Sequence, residues 1–192
     1  MSTNKPQIPY VTTNKGKFKD IQDFLSQNPD LPMVVTQKAL EIDEFQSDDQ
    51  LEIVQKKAIA AWNELKTPLL IEDAGIFFEK YHNFPGTFSK YIFKSLGFEG
   101  LTKLYEPGDK AYFKLMLCYI ENPESLHFFE GRCEGKLILP HIGANASLPY
   151  QVLFVPNGAT KTYQQLSDDG EKTPFAFRIK AFKAFTEWHK NL

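Results

Sequence analysis

The sequence predicts a mixed α/β fold in which a partly antiparallel sheet is flanked by helices, and three observations carry that prediction. Short β-like runs alternate with segments of helical periodicity through the first half of the chain. A central stretch, "KAYFKLMLCYIENPESLHFFEGRCEGKLIL", reads as two long strands turning at 122–125, which argues against an all-parallel sheet. The chain then ends in an aromatic-rich helical segment, "EKTPFAFRIKAFKAFTEWHK".

Taken in order, residues 8–13 form the first short strand. Over 15–27, Phe18, Ile21, Phe24 and Leu25 follow helical spacing until "NPDLP" stops them. "MVVTQ" is a second strand. The next stretch begins acidic and becomes a long helix with Leu51, Val54, Ala58, Ala61, Trp62 and Leu65 on one face, stopped by Pro68. "PLLIEDAGIFFEKY" reads as a buried strand ending in Glu72 and Asp73, a glycine break, then another strand. Residues 87–105 form one or two short helices, and "YQVLFVP" is a late strand. Pro174 fits the first turn of the last helix.

No linker, repeat or low-complexity tract divides the 192 residues, so one domain spanning 1–192 is expected. Seventeen phenylalanines mean that rings fill much of the interior. A net charge of −2 gives no basic excess for a nucleic-acid polymer. Two cysteines, Cys118 and Cys133, make neither a disulfide framework nor a metal motif. The start "MSTNKPQIPY" lacks a signal-peptide pattern, and no apolar run approaches the roughly 20 residues that span a bilayer. A cytoplasmic protein without membrane contact is the expectation.

The turn in "VTTNKGKF" places Thr12, Thr13, Asn14 and Lys17 where a strand hands over to a helix. Taken alone it reads as a capped, solvated helix start. A phosphate cradle is the alternative, because helix N-termini present unpaired N–H groups and a positive dipole end. Glu72 and Asp73, fixed by a buried strand, are candidates for chemistry, and Glu44 lies in an otherwise solvated acidic run. Magnesium takes hard oxygen ligands, one or two carboxylates with phosphates and water. Lys56, Lys90, Lys172 and Arg178 each read singly as solvent-facing; converging on one cleft they would neutralise a triphosphate. Lys56 follows Glu52 by four residues, the spacing of a surface ion pair. Walker A, Rossmann, zinc-protease and serine-hydrolase patterns are all absent.

In this order the segments resemble the inosine triphosphate pyrophosphatase, or Ham1, family over nearly the whole chain. "VTTNKGKFKDIQDFL" is similar to the family's T-x-N-x-x-K turn, "LEIDEFQ" to its acidic segment and "LEIVQKKAIAAW" to its long helix. "PLLIEDAGIFFEKYHNFPGTFSKYIFKSLGFEGL" is the strongest match, followed by the hairpin "FFEGRCEGKLILP"; "EKTPFAFRIKAF" stands where E-K-x-x-x-S-H-R is usual. The resemblance implies an elongated fold of two lobes with a central cleft, usually a homodimer. It implies hydrolysis of nucleoside triphosphates between the α and β phosphates, with deaminated purines such as ITP and XTP preferred. By position, Thr12, Thr13, Asn14 and Lys17 would hold phosphates. Glu44 and Asp73 would bind Mg2+, with Mn2+ as a second candidate, and Asp73 would act as general base supported by Glu72. Lys56, Lys90 and Lys172 would contact the nucleotide, and Arg178 would read its base.

The base half departs from the family pattern. The usual F-G-[WY]-D-P is "LPYQVLF" here, leaving Tyr150 to stack and Gln151 in the Asp position. Ser-His becomes Ala176-Phe177, so Phe177 offers stacking in place of a hydrogen bond. The expectation is therefore a nucleotide pyrophosphatase whose base choice is altered. A non-catalytic nucleotide-binding or regulatory descendant is the alternative, and a partner-binding dimer without nucleotide affinity a third reading.

Overall fold

The computed structural model describes residues 5–43, 45–140 and 149–191. Near its start, strand β1 (Gln7–Val11), helix α1 (Lys15–Ser26) and strand β2 (Val34–Lys38) form a β–α–β unit. The two strands pair in parallel from Gln7 with Val34 to Val11 with Lys38, a geometry that requires a crossover such as α1. Helix α1 begins where the Asn14 side chain accepts the Lys17 N–H at 3.1 Å. Helix α2 (Gln50–Leu65) is capped by Asp49, and its chain reverses at Lys66 in the left-handed region, φ 51°.

Strand β3 (Leu69–Phe78) is continuous for ten residues. The expected break at Gly75 does not occur, and Glu72 and Asp73 lie mid-strand. Gly75 is needed for a different reason: a Cβ there would overlap the Gly86 carbonyl of strand β4 (Pro85–Gly86), which pairs antiparallel with β3. Helix α3 (Ser89–Leu101) kinks at Gly97 and ends in a 3₁₀ turn at Thr102–Leu104, in line with the one or two short helices expected there. Strands β5 (Lys110–Asn122) and β6 (Ser125–Leu137) form the hairpin at its expected turn.

The late strand is shorter than its sequence suggests. Residues Pro149–Val152 form a 3₁₀ turn, and strand β7 is only Phe154–Pro156, antiparallel to β6. Helix α4 (Tyr163–Asp168), absent from the sequence reading, starts with a Thr162/Gln165 capping box. Pro174 belongs to a separate 3₁₀ turn, Thr173–Phe175, and helix α5 (Phe177–His189) follows after an extended Ala176. Strand order is β2-β1-β3-β5-β6-β7, with β4 on β3, so the sheet is mixed as expected.

The chain divides into two compact units. One comprises 1–73, 115–131 and 178–192; the other comprises 74–114 and 132–177. The first has a core of Val11, Val54, Ala58, Ala61, Leu69, Ile71, Cys118 and Ile120. The second is built on rings: Phe113 stacks on Phe177 at 5.1 Å and meets Phe154 edge-on at 4.9 Å. Among the described residues no helix is long and apolar enough to cross a membrane.

Candidate functional site

Side chains alternate along β3, so adjacent Glu72 and Asp73 serve opposite faces of the sheet. Glu72, 3% exposed, faces residues of α1 and α5. Arg178 grips it with two donors, Nε to Oε2 at 2.9 Å and Nη2 to Oε1 at 3.0 Å. The Lys17 ammonium adds a third partner, 2.9 Å from Oε1, and the Tyr10 hydroxyl donates to Oε2. Arg178 Nη1 donates to Asp20 Oδ2 at 2.7 Å. The result is a network of two cations, two carboxylates and one phenol, centred on buried Glu72 and Tyr10 with Lys17 and Asp20 half-buried at its edge.

Burial alone would raise the Glu72 pKa. The charges of Arg178 and Lys17, with hydrogen bonds from Arg178 and Tyr10, overcome it and hold the carboxyl well below the usual carboxylate range. Burial would likewise lower the Arg178 pKa, but Glu72 and Asp20 keep the guanidinium charged. Burial and the neighbouring Glu72 carboxylate push the Tyr10 phenol far up, so it stays a neutral donor.

On the other face Asp73 meets α2. Lys57 Nζ lies 3.4 Å from Asp73 Oδ1 and 3.3 Å from the Glu72 carbonyl oxygen. Gln50 Nε2 reaches the Asp73 carbonyl at 3.2 Å and Oδ2 at 3.3 Å. Burial raises the Asp73 pKa, and Lys57, the Gln50 bond and the Lys17 charge only partly oppose it. The two carboxylates are thus tuned in opposite directions, one fixed as an anion and one brought closer to neutral pH.

This asymmetry bears on metal binding. Both Glu72 oxygens are already taken by four donor contacts, so Glu72 has no lone pair left for an ion. Asp73 has only long contacts of 3.3 and 3.4 Å and is an under-neutralised hard oxygen donor, which fits a magnesium ligand. The second expected ligand, Glu44, lies outside the described residues, within which no group of three or more His, Cys, Asp or Glu is gathered for a metal.

The Ham1 family model matches residues 8–188. The chain belongs to the Ham1 family. A dITP/XTP pyrophosphatase of Korarchaeum cryptofilum is 34% identical, over 93% of this chain and 94% of its own. Inosine triphosphate pyrophosphatase 2 of Trypanosoma cruzi is 32% identical over 93% and 89%. The Saccharomyces cerevisiae inosine triphosphate pyrophosphatase is 30% identical over 98% and 97%. A solved HAM1 protein from Coxiella burnetii superposes with TM-score 0.77 at 19% identity, covering 97% of this chain and 100% of that one, which supports the fold.

Within this Ham1 chain the expected site residues are distributed unevenly. Lys17, Glu72 and Arg178 converge directly, with Asp73 next to Glu72 in the same unit. At the α1 turn, Thr12 Oγ1 accepts the Asn14 N–H at 3.1 Å, and Thr13 and Asn14 are exposed. Lys56 makes the surface pair with Glu52 at 2.9 Å, lies over the Phe45 ring and is 48% exposed. The lysine at Asp73 is its neighbour Lys57, 18% exposed. Sequence reasoning also missed Gln50, Tyr10 and Asp20. A signal for Gln50 and Lys57 exists: they are seven residues apart, in phase with the buried stripe of α2.

The remaining candidates belong to the second unit. Lys90 is exposed near the Tyr91 ring, and Lys172 precedes the 3₁₀ turn ahead of α5. Tyr150 is buried, its hydroxyl donating to the Ser89 carbonyl at 2.8 Å, and Gln151 beside it is half-buried. Phe177 is 4% exposed between Phe113 and Tyr163, a packing position.

Proposed function

We propose that this chain hydrolyses nucleoside triphosphates between the α and β phosphates, releasing a monophosphate and pyrophosphate. The observation that carries this reading is the Lys17–Glu72–Arg178 network at the start of α1, with the differently tuned Asp73 one residue along β3. Relatives named as dITP/XTP and inosine triphosphate pyrophosphatases support it. They also support non-standard purine triphosphates as substrates, with base choice open to change by half-buried Gln151, whereas Ala176 and Phe177 are buried.

Chemically, phosphoryl transfer asks mainly for positioning and charge neutralisation. Lys17, Asn14, Thr12 and Thr13 would receive phosphate oxygens at the α1 turn, with the helix N-terminus adding N–H donors. Asp73, with Glu44, would hold Mg2+; Mn2+ is the natural substitute. When bound, such an ion neutralises phosphate charge and lowers the pKa of a coordinated water. Asp73 would take the proton of the attacking water, a role suited by a carboxyl whose pKa burial has raised. Glu72 would hold Lys17 in place. Lys57 would temper the charge of Asp73, and Lys56, Lys90 and Lys172 remain candidates for outer contacts with the nucleotide. Arg178 gives Nε, Nη1 and Nη2 to carboxylates, which suits it to holding Glu72 more than to reading a base carbonyl.

A homodimer in a cytoplasmic setting completes the proposal, and light scattering checks the stoichiometry. The deciding experiment measures pyrophosphate release with Mg2+ from ITP, XTP, dITP, dUTP and the four common triphosphates. Turnover is expected, fastest with the deaminated purines; no turnover with any of them overturns the reading.

A further inference from the structure

Lys17 poses a mechanical difficulty. Its ammonium sits 2.9 Å from a buried carboxylate, yet a phosphate ligand has to turn that charge toward a guest. Withdrawing a cation from a buried anion is costly unless the anion keeps enough other donors. Glu72 does keep them. With Lys17 gone, Oε1 retains Arg178 Nη2, and Oε2 retains Arg178 Nε together with the Tyr10 hydroxyl.

Tyr10 is placed for this task by the sheet. It pairs in register with Leu70, so Glu72, two residues further along β3, shares the face on which Tyr10 lies. The Tyr10 side chain is fully buried and its ring packs on Phe18 at 6.3 Å, next to Lys17 in α1. One rigid side chain therefore touches both the start of α1 and the carboxylate that holds Lys17. A neutral donor suits the position, because it supports Glu72 without competing for the incoming phosphate as a third cation would.

We propose that Tyr10 is a positioning residue which keeps Glu72 satisfied while Lys17 swings from it to a substrate phosphate. Lys17 is then a releasable latch, and Tyr10 sets how easily it opens. This rests on the phosphate role proposed for Lys17 above. Without the Tyr10 hydroxyl, Glu72 holds Lys17 more tightly, so the protein binds polyphosphate less well although no contact with the ligand has been removed.

The test uses inorganic tripolyphosphate, titrated calorimetrically into the metal-free full chain, alongside steady-state kinetics with ITP and Mg2+. Tyr10→Phe keeps the buried ring and is expected to weaken tripolyphosphate binding about tenfold and raise KM similarly, with kcat changed by less than about twofold. The loss should vanish in a Lys17→Ala background, because the two residues act through one contact. Unchanged affinity in Tyr10→Phe, or the same tenfold loss without Lys17, overturns the inference. Should Tyr10→Phe fail to fold, p-aminophenylalanine at position 10 supplies a weaker neutral donor from the same ring. It carries the same test, with a smaller loss in the same direction and again only where Lys17 is present. If Lys17→Ala binds tripolyphosphate as well as wild type, the phosphate role of Lys17 falls and the latch falls with it. If Lys17→Ala weakens binding and Tyr10→Phe does not, the latch alone fails.

Discussion

Replacing Lys57 by Met should destabilise the protein at neutral pH and leave it almost unaffected in acid, whereas Lys56→Met should do little at either. Met keeps the aliphatic stem of lysine, so the change removes mainly the ammonium near Asp73 Oδ1 and the Glu72 carbonyl, at 3.4 and 3.3 Å. Both side chains of that pair are only 18% exposed, while Lys56 and Glu52 are 48% and 43% exposed. A charge-assisted contact of the enclosed kind contributes about 1.5–3 kcal/mol; an exposed i,i+4 pair contributes about 0.3–0.5 kcal/mol. The sign with pH follows from Asp73, whose folded pKa is already raised by burial. Without Lys57 it rises further, so the penalty is full once Asp73 is ionised and disappears below about pH 4, where it is protonated in both states. For a chain of this size, about 2 kcal/mol corresponds to a Tm difference of roughly 4–8 °C. Thermal unfolding of the metal-free protein between pH 3.5 and 8 should show the wild-type and Lys57→Met curves converging toward acid. A gap independent of pH, or an equal gap for Lys56→Met, would refute the pairing of Lys57 with Asp73.

Other expectations concern the opposite face and the two cores. Glu72 is held far below its unfolded pKa, so it contributes stability above about pH 4.3 that is lost as pH falls. Urea midpoints of Glu72→Gln should accordingly fall less steeply than wild type between pH 5 and 3, and parallel curves would count against its network. Gly75→Ala should cost more than about 2 kcal/mol in urea unfolding, because its Cβ would overlap the Gly86 carbonyl; a change within about 0.5 kcal/mol would contradict the close approach of β3 and β4. Phe177→Ala should cost about 3–5 kcal/mol, as expected for a ring enclosed by Phe113 and Tyr163, and a stable variant would argue that Phe177 faces a ligand instead.

The sequence carried the order of elements well where the signals were local. Alternation, helical spacing and a two-residue turn located β1, α1, α2 and the β5–β6 hairpin within a few residues. It misplaced the end of the buried strand because glycine in a strand reads as a breaker, whereas Gly75 serves the approach of another backbone, a non-local fact. Helix α4 was overlooked because six residues show too little periodicity, although its Thr162/Gln165 cap was visible. Lys17, Glu72, Asp73 and Arg178 were named in advance, yet the sequence separation of 106 between Glu72 and Arg178 left their contact unreadable. Position-by-position resemblance selected Lys56, while helical phase favours Lys57, half-buried beside the stripe that carries Gln50. Tyr10 escaped because a tyrosine in a strand looks like packing until its hydroxyl finds a partner.

The most direct measurement of the central claim identifies the products formed from ITP and Mg2+ by phosphorus NMR, for wild type and Asp73→Asn. The account predicts IMP and pyrophosphate from wild type, and turnover reduced by at least about a hundredfold in Asp73→Asn with tripolyphosphate binding kept. Orthophosphate with IDP as the first products, or an Asp73→Asn variant as active as wild type, would contradict it.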